Sequence, residues 1–67
     1  MKQITNEQII ACTKRIVDDV PIIKEDVDYL SSTIRYTPNE YLEHRQRELV
    51  HELHAISVVR LLNAWDS

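Results

Sequence analysis

Tyr36-Thr37-Pro38-Asn39-Glu40-Tyr41-Leu42 opens a run that meets no helix breaker before Trp65. Thr37-Pro38-Asn39-Glu40 has the pattern of a capping box, a hydroxyl followed three residues later by an acid, with proline in the first turn. Tyr36 and Tyr41 stand where an apolar staple pair belongs. The spacing predicts a helix from about 38 to 65, roughly 40 Å long at 1.5 Å per residue. Its first half, Glu43-His44-Arg45-Gln46-Arg47-Glu48, is solvated in character. From Leu49 to Trp65 it turns apolar, and the polar residues left over (His51, Glu52, His54, Ser57, Arg60, Asn63) scatter around the helical wheel without forming a polar face. A surface helix carries an apolar stripe little wider than 100°, whereas a helix apolar all round is covered all round.

Two shorter helices are expected before it. Thr5-Asn6-Glu7-Gln8 reads as another capping box, with Ile4 and Ile9 as its staple. The first helix should run over about 6–19, with Ile9, Ile10, Thr13, Ile16, Val17 and Val20 on one stripe. Pro21 ends it, because proline disfavours α geometry at Val20 and has no N–H for the ladder. Proline also suits a first helical turn, so a second helix over about 21–35 is expected, with Ile23, Val27, Leu30 and Ile34 at i, i+4, i+7 and i+11. A single helix kinked at Pro21 is the competing arrangement. The expected fold is all-α: three helices in one domain, 1–67, forming a small bundle with a long C-terminal helix.

Composition narrows the function classes. Sixty-seven residues bury only about 60% of the surface of the unfolded chain, so such domains usually need a disulfide, a metal or a partner. Cys12 is the only cysteine, which excludes a disulfide within the chain and reads as a small apolar residue of a reducing compartment. There is no glycine, and phosphate loops, dinucleotide turns and tight hairpins all depend on it. No apolar run is long enough to span a membrane, and the N-terminal stretch from Met1 to Asn6 carries no signal-peptide core. The net charge of −3 is not the basic footprint of a dedicated nucleic-acid binder.

Chemistry-bearing patterns are sparse. His44, Glu48 and His51 fall on one stripe, and Glu48-Leu49-Val50-His51 has the Glu-x-x-His spacing that di-iron bundles use twice. Here it occurs once, and His51-Glu52-Leu53-His54 is one residue short of the zinc-protease motif. Neither a metal nor another cofactor is expected. Ser31, Ser32 and Ser57 have no nucleophile signature, and Asp18, Asp19, Glu25, Asp26 and Asp28 read as a solvated acidic face. No catalytic residues are expected.

Binding is the remaining class. Two short helices cannot cover every side of the apolar C-terminal segment, so a partner should, most simply a second copy of the chain. Leu53, Val58, Leu61, Leu62 and Trp65 are the expected partner or self-association residues, docking as a helix in a groove. The competing arrangement is a complete monomer in which the first two helices flank the third. The rival function is a helix-turn-helix-like DNA-binding regulator in which Asn39, His44, Arg45 and Arg47, near the start of the third helix, contact nucleic acid. Glu40, Glu43 and Glu48 are interleaved with them and would face phosphates, and Glu43–Arg47 is a favourable i, i+4 ion pair.

Taken whole, the chain resembles the small early proteins encoded between the exo and xis genes of lambdoid phages. Thr5-Asn6-Glu7-Gln8-Ile9-Ile10-Ala11-Cys12 and Tyr36-Thr37-Pro38-Asn39-Glu40-Tyr41-Leu42 carry that resemblance. It implies a non-enzymatic regulator in the host cytoplasm that acts on the lysis–lysogeny choice or on host functions through a host or phage protein. A weaker similarity is to the theta subunit of bacterial DNA polymerase III, through Val20-Pro21-Ile22-Ile23-Lys24-Glu25 and Pro38-Asn39-Glu40-Tyr41-Leu42, although the two prolines stand farther apart here than in that family.

Overall fold

The computed structural model describes residues 3–66, and the first two residues and the last, on which part of the reading of the N-terminus rests, lie outside them. The protein is all-helical: α1 spans Asn6–Asp19, α2 Lys24–Ile34 and α3 Asn39–Asp66.

α1 begins where its capping residues place it. The Thr5 hydroxyl accepts from the Gln8 amide at 3.2 Å, and the Thr5 amide donates to Gln8 Oε1 at 2.9 Å, so two amides that a helix start leaves unpaired are satisfied reciprocally. Ile4 and Ile9 are both half-buried, as a staple requires. The helix stops at Asp19: Val20 is extended ahead of Pro21, and its amide makes the last ladder bond, to the Ile16 carbonyl. There is no kinked continuous helix, because residues 20–23 are non-helical.

α2 differs from expectation at its start. Pro21 does not open it; the helix begins at Lys24 after an extended Ile23, whose side chain cannot cap. The first turn instead holds Glu25 and Asp26, whose charge is favourable at the positive end of the helix dipole. Near the other end Ser31, Ser32 and Thr33 each donate a hydroxyl to the carbonyl three residues back. Such back-bonding competes with the ladder and weakens a helix interior. The Thr37 amide closes the turn after α2 by donating to the Ile34 carbonyl.

α3 begins at Asn39, one residue later than the capping-box reading implies. The Leu42 amide reaches the Pro38 carbonyl, which places Pro38 in the cap position, and Thr37 makes no side-chain capping bond among the described residues. A carbonyl is all that a cap must supply to the first ladder bond, and proline supplies it. From there 28 residues continue to Asp66 without interruption.

Among the described residues α1 packs along α3, and α2 packs along neither. Ile9 shares a small groove with His54, and Cys12 shares another with Leu61 and Ala64, so α1 lies along the second half of α3. The interface is built from half-buried Ile9, Cys12, Thr13 and Ile16 on α1 and from His54, Ser57, Val58 and Leu61 on α3. At its centre the Thr13 and Ser57 hydroxyls lie 2.7 Å apart, and Ser57, 3% exposed, is the one buried residue among those described. Ile10, Val17 and Val20, expected on the α1 stripe, face solvent.

The result is an open molecule. Its radius of gyration is 15.3 Å, against about 11 Å for a compact domain of this length. Its accessible surface is 6341 Å², whereas a folded monomer of 7.9 kDa is expected to expose about 4,400 Å². No hydrophobic residue among those described is fully buried.

Candidate apolar docking face

The exposed apolar residues fall into rows. Ile23, at the cap of α2, and Val27, Leu30 and Ile34 within it form the stripe that their spacing dictates, yet among the described residues no helix packs along it: Val27 is 50% exposed and Leu30 59%. On α3, Leu42, Leu49, Leu53 and Ile56 are separated by seven, four and three residues, the spacing of a coiled-coil seam. This seam is roughly a third of a turn away from the face that α1 covers, since successive residues rotate by about 100°. Leu42 is half-buried, while Leu49, Leu53 and Ile56 are exposed.

The two rows meet in a groove of about 630 Å³ between the end of α2 and the first half of α3. Ile34, Tyr41, Leu42 and Leu49 line it together with the polar Glu43, Arg45 and Gln46. The groove is open to solvent. It has the shape and chemistry that receive an apolar side-chain row, with charged groups at the edge.

The residues singled out for partner contact divide between two faces. Val58 and Leu61 are half-buried on the side of α3 that meets α1, whereas Leu53, Leu62 and Trp65 are exposed. Leu49 and Ile56, which continue the seam through Leu53, were not singled out by sequence reading. Their seven-, four- and three-residue spacing from Leu42 was the available signal, hidden because the whole segment is apolar.

The residues considered for nucleic acid gather in the first half of α3 but are engaged with acids. Arg47 Nη2 lies 2.8 Å from Glu43 Oε1, Arg45 Nη1 lies 3.4 Å from Glu48 Oε2, and His44 Nε2 lies 2.7 Å from Glu48 Oε1. All these side chains are well exposed, so each pair contributes only a few tenths of a kcal/mol, about 0.2–1. Asn39 stands at the start of the helix, exposed, at the edge of the groove. α2 does not cross α3 in contact with it, as the first helix of a helix-turn-helix does.

Among the described residues no three His, Cys, Asp or Glu side chains come together as a metal-binding group, and no helix is long and apolar enough to cross a membrane. Cys12 is half-buried, with the Arg60 guanidinium 3.7 Å from its sulfur. No family model matches the chain, and no significantly similar sequence or solved structure was found among known proteins.

Proposed function

We propose that this protein is a non-enzymatic regulatory protein that acts by binding another protein through exposed apolar helix faces. The observation that carries this reading is the surface itself. A chain that exposes roughly 1,900 Å² more than a compact monomer of its mass leaves apolar rows whose natural cover is another polypeptide. The groove between α2 and α3 supports helix-in-groove docking, with Leu49, Leu53 and Ile56 on the seam and Leu62 and Trp65 farther along α3. The setting we propose follows the sequence's resemblance to the early proteins of the exo–xis region of lambdoid phages: the host cytoplasm during infection, a host or phage protein as target, and the lysis–lysogeny choice or host functions as the process modulated.

The DNA-binding alternative has less support. Its candidate cations, Arg45 and Arg47, are paired with Glu48 and Glu43, and the net charge is −3. Phosphate recognition would have to break those pairs and overcome the repulsion of the interleaved carboxylates.

The test is cross-linking in extract of phage-infected cells, with identification of the captured chains, set beside a salt titration against duplex DNA. The expected result is a defined protein partner captured by the wild type and lost in Val27→Glu and Ile56→Glu, with no DNA binding. Duplex binding that weakens steeply with salt, and weakens further in Arg45→Ala or Arg47→Ala, would replace this reading with the DNA one.

A further inference from the structure

We infer that the cover of these rows is a second copy of this chain, and that folding and dimerisation are one event. The inference rests on the binding reading above and names the partner. Three observations converge on it.

The first is area. Two copies, each hiding the surface it exposes in excess of a compact monomer, would together bury roughly 3,800 Å². That lies within the 2,000–5,000 Å² typical of obligate homodimers and well above the roughly 1,600 Å² of ordinary transient complexes. A transient partner of standard size would leave more than half of the excess wet.

The second is self-complementarity. A two-fold interface requires that each copy offer both surfaces of the contact, so that residue i meets j while j meets i. This chain has two unpartnered rows. The α2 row from Ile23 to Ile34 is about 16 Å long, and the α3 seam from Leu42 to Ile56 is about 21 Å long, at 1.5 Å per residue. They are joined through the groove at Ile34, Leu42 and Leu49. The α2 row of one copy laid along the seam of the other, repeated by the two-fold axis, covers the α2 row and most of the seam in both copies. The same operation covers the apolar side of the first half of each α3, at Leu42 and Leu49, and leaves its ion-paired side in water.

The third is the absence of a core. No hydrophobic residue among those described is fully buried, and the one buried side chain is Ser57, in the Thr13–Ser57 hydroxyl pair between α1 and α3. A pair of helices with that interface, and an α2 helix of eleven residues touching neither, is too small to hold its shape in water alone. In the dimer the missing core is the interface.

Sedimentation equilibrium and circular dichroism melts of the full chain from about 1 to 300 µM test this directly. The expected result is a dimer whose midpoint rises by about 5 °C for each tenfold increase in concentration, as coupled folding and association of two such chains require. Leu49→Glu and Ile56→Glu should each raise the dimer dissociation constant at least ~100-fold, because a carboxylate at the centre of a desolvated seam has no partner. Their helical signal should fall with the dimer. Ile22→Glu, at an exposed residue outside both rows, should leave the dimer unchanged.

A monomer that melts cooperatively at a midpoint independent of concentration would overturn the inference, whether α2 closes over its own seam or another protein covers it. The binding proposal would survive that outcome if the captured partner were still lost in Ile56→Glu. A dimer that both seam variants leave intact would equally overturn it, since the contact would then lie elsewhere.

Discussion

Substitution at the Thr13–Ser57 contact should be asymmetric, and the asymmetry follows from burial. The two hydroxyls lie 2.7 Å apart, the usual length of a good O–H···O bond, across the interface between α1 and α3. Ser57 is 3% exposed, while Thr13 is only half-buried. Ser57→Ala removes the bond but leaves the Thr13 hydroxyl close enough to solvent to find water. Its cost should therefore be that of a net hydrogen bond, about 1 kcal/mol. Thr13→Val keeps the shape of the side chain and strands the buried Ser57 hydroxyl. Its cost should be that of an unsatisfied buried group, about 2 kcal/mol, moderated by whatever bond Ser57 can make to a carbonyl of its own helix. The double variant removes both polar groups and should lie within about 0.5 kcal/mol of the wild type. For a chain of this size 1 kcal/mol moves a midpoint by roughly 4–8 °C, so thermal melts at one fixed protein concentration resolve all three variants. The cycle should give a coupling of about 3 kcal/mol, opposite in sign to the single costs. If Ser57→Ala proves costlier than Thr13→Val, or if the single effects simply add, the contact does not hold α1 on α3 in the way the geometry implies.

Other outcomes follow from local structure. Thr5→Ala should cost about 1 kcal/mol and lower the midpoint by several degrees, because it removes the hydroxyl that caps the Gln8 amide; hydrogen exchange should quicken in the first turn of α1. Glu43→Gln and Glu48→Gln should each change stability by less than about 0.5 kcal/mol, because the ion pairs with Arg47 and Arg45 are solvent-exposed, and a melt in 1 M salt should show the same small difference. Pro21→Ala should raise the far-ultraviolet helical signal by letting α1 run on past Asp19, since the ring that now holds Val20 in extended geometry would be gone; an unchanged signal would mean that tertiary contacts, not proline, set the break.

Local chemistry made the elements legible in the sequence. Thr5 and Gln8 specify the start of α1, Pro21 its end, and the stretch from Asn39 onward has nothing to interrupt a helix, so the all-helical class and the three elements could be read residue by residue. Boundaries were less secure where two local signals compete. Pro21 serves as breaker and as first-turn residue, and only the breaking role is used. Thr37 and Pro38 both suit the cap, and the Pro38 carbonyl takes it.

What the tertiary structure alone decided is which side of α3 is covered. The segment from Leu49 to Trp65 is apolar around its whole circumference, so its pattern announces excess greasy surface without assigning any residue to a face. Only the docking of α1, through a contact between residues 44 apart in sequence, turns Val58 and Leu61 toward the helix pair and leaves Leu49, Leu53 and Ile56 outward. Helix caps are settled by neighbours three or four positions away; the spacing within α3 outlines a seam, but which face is covered is settled by an element far along the chain.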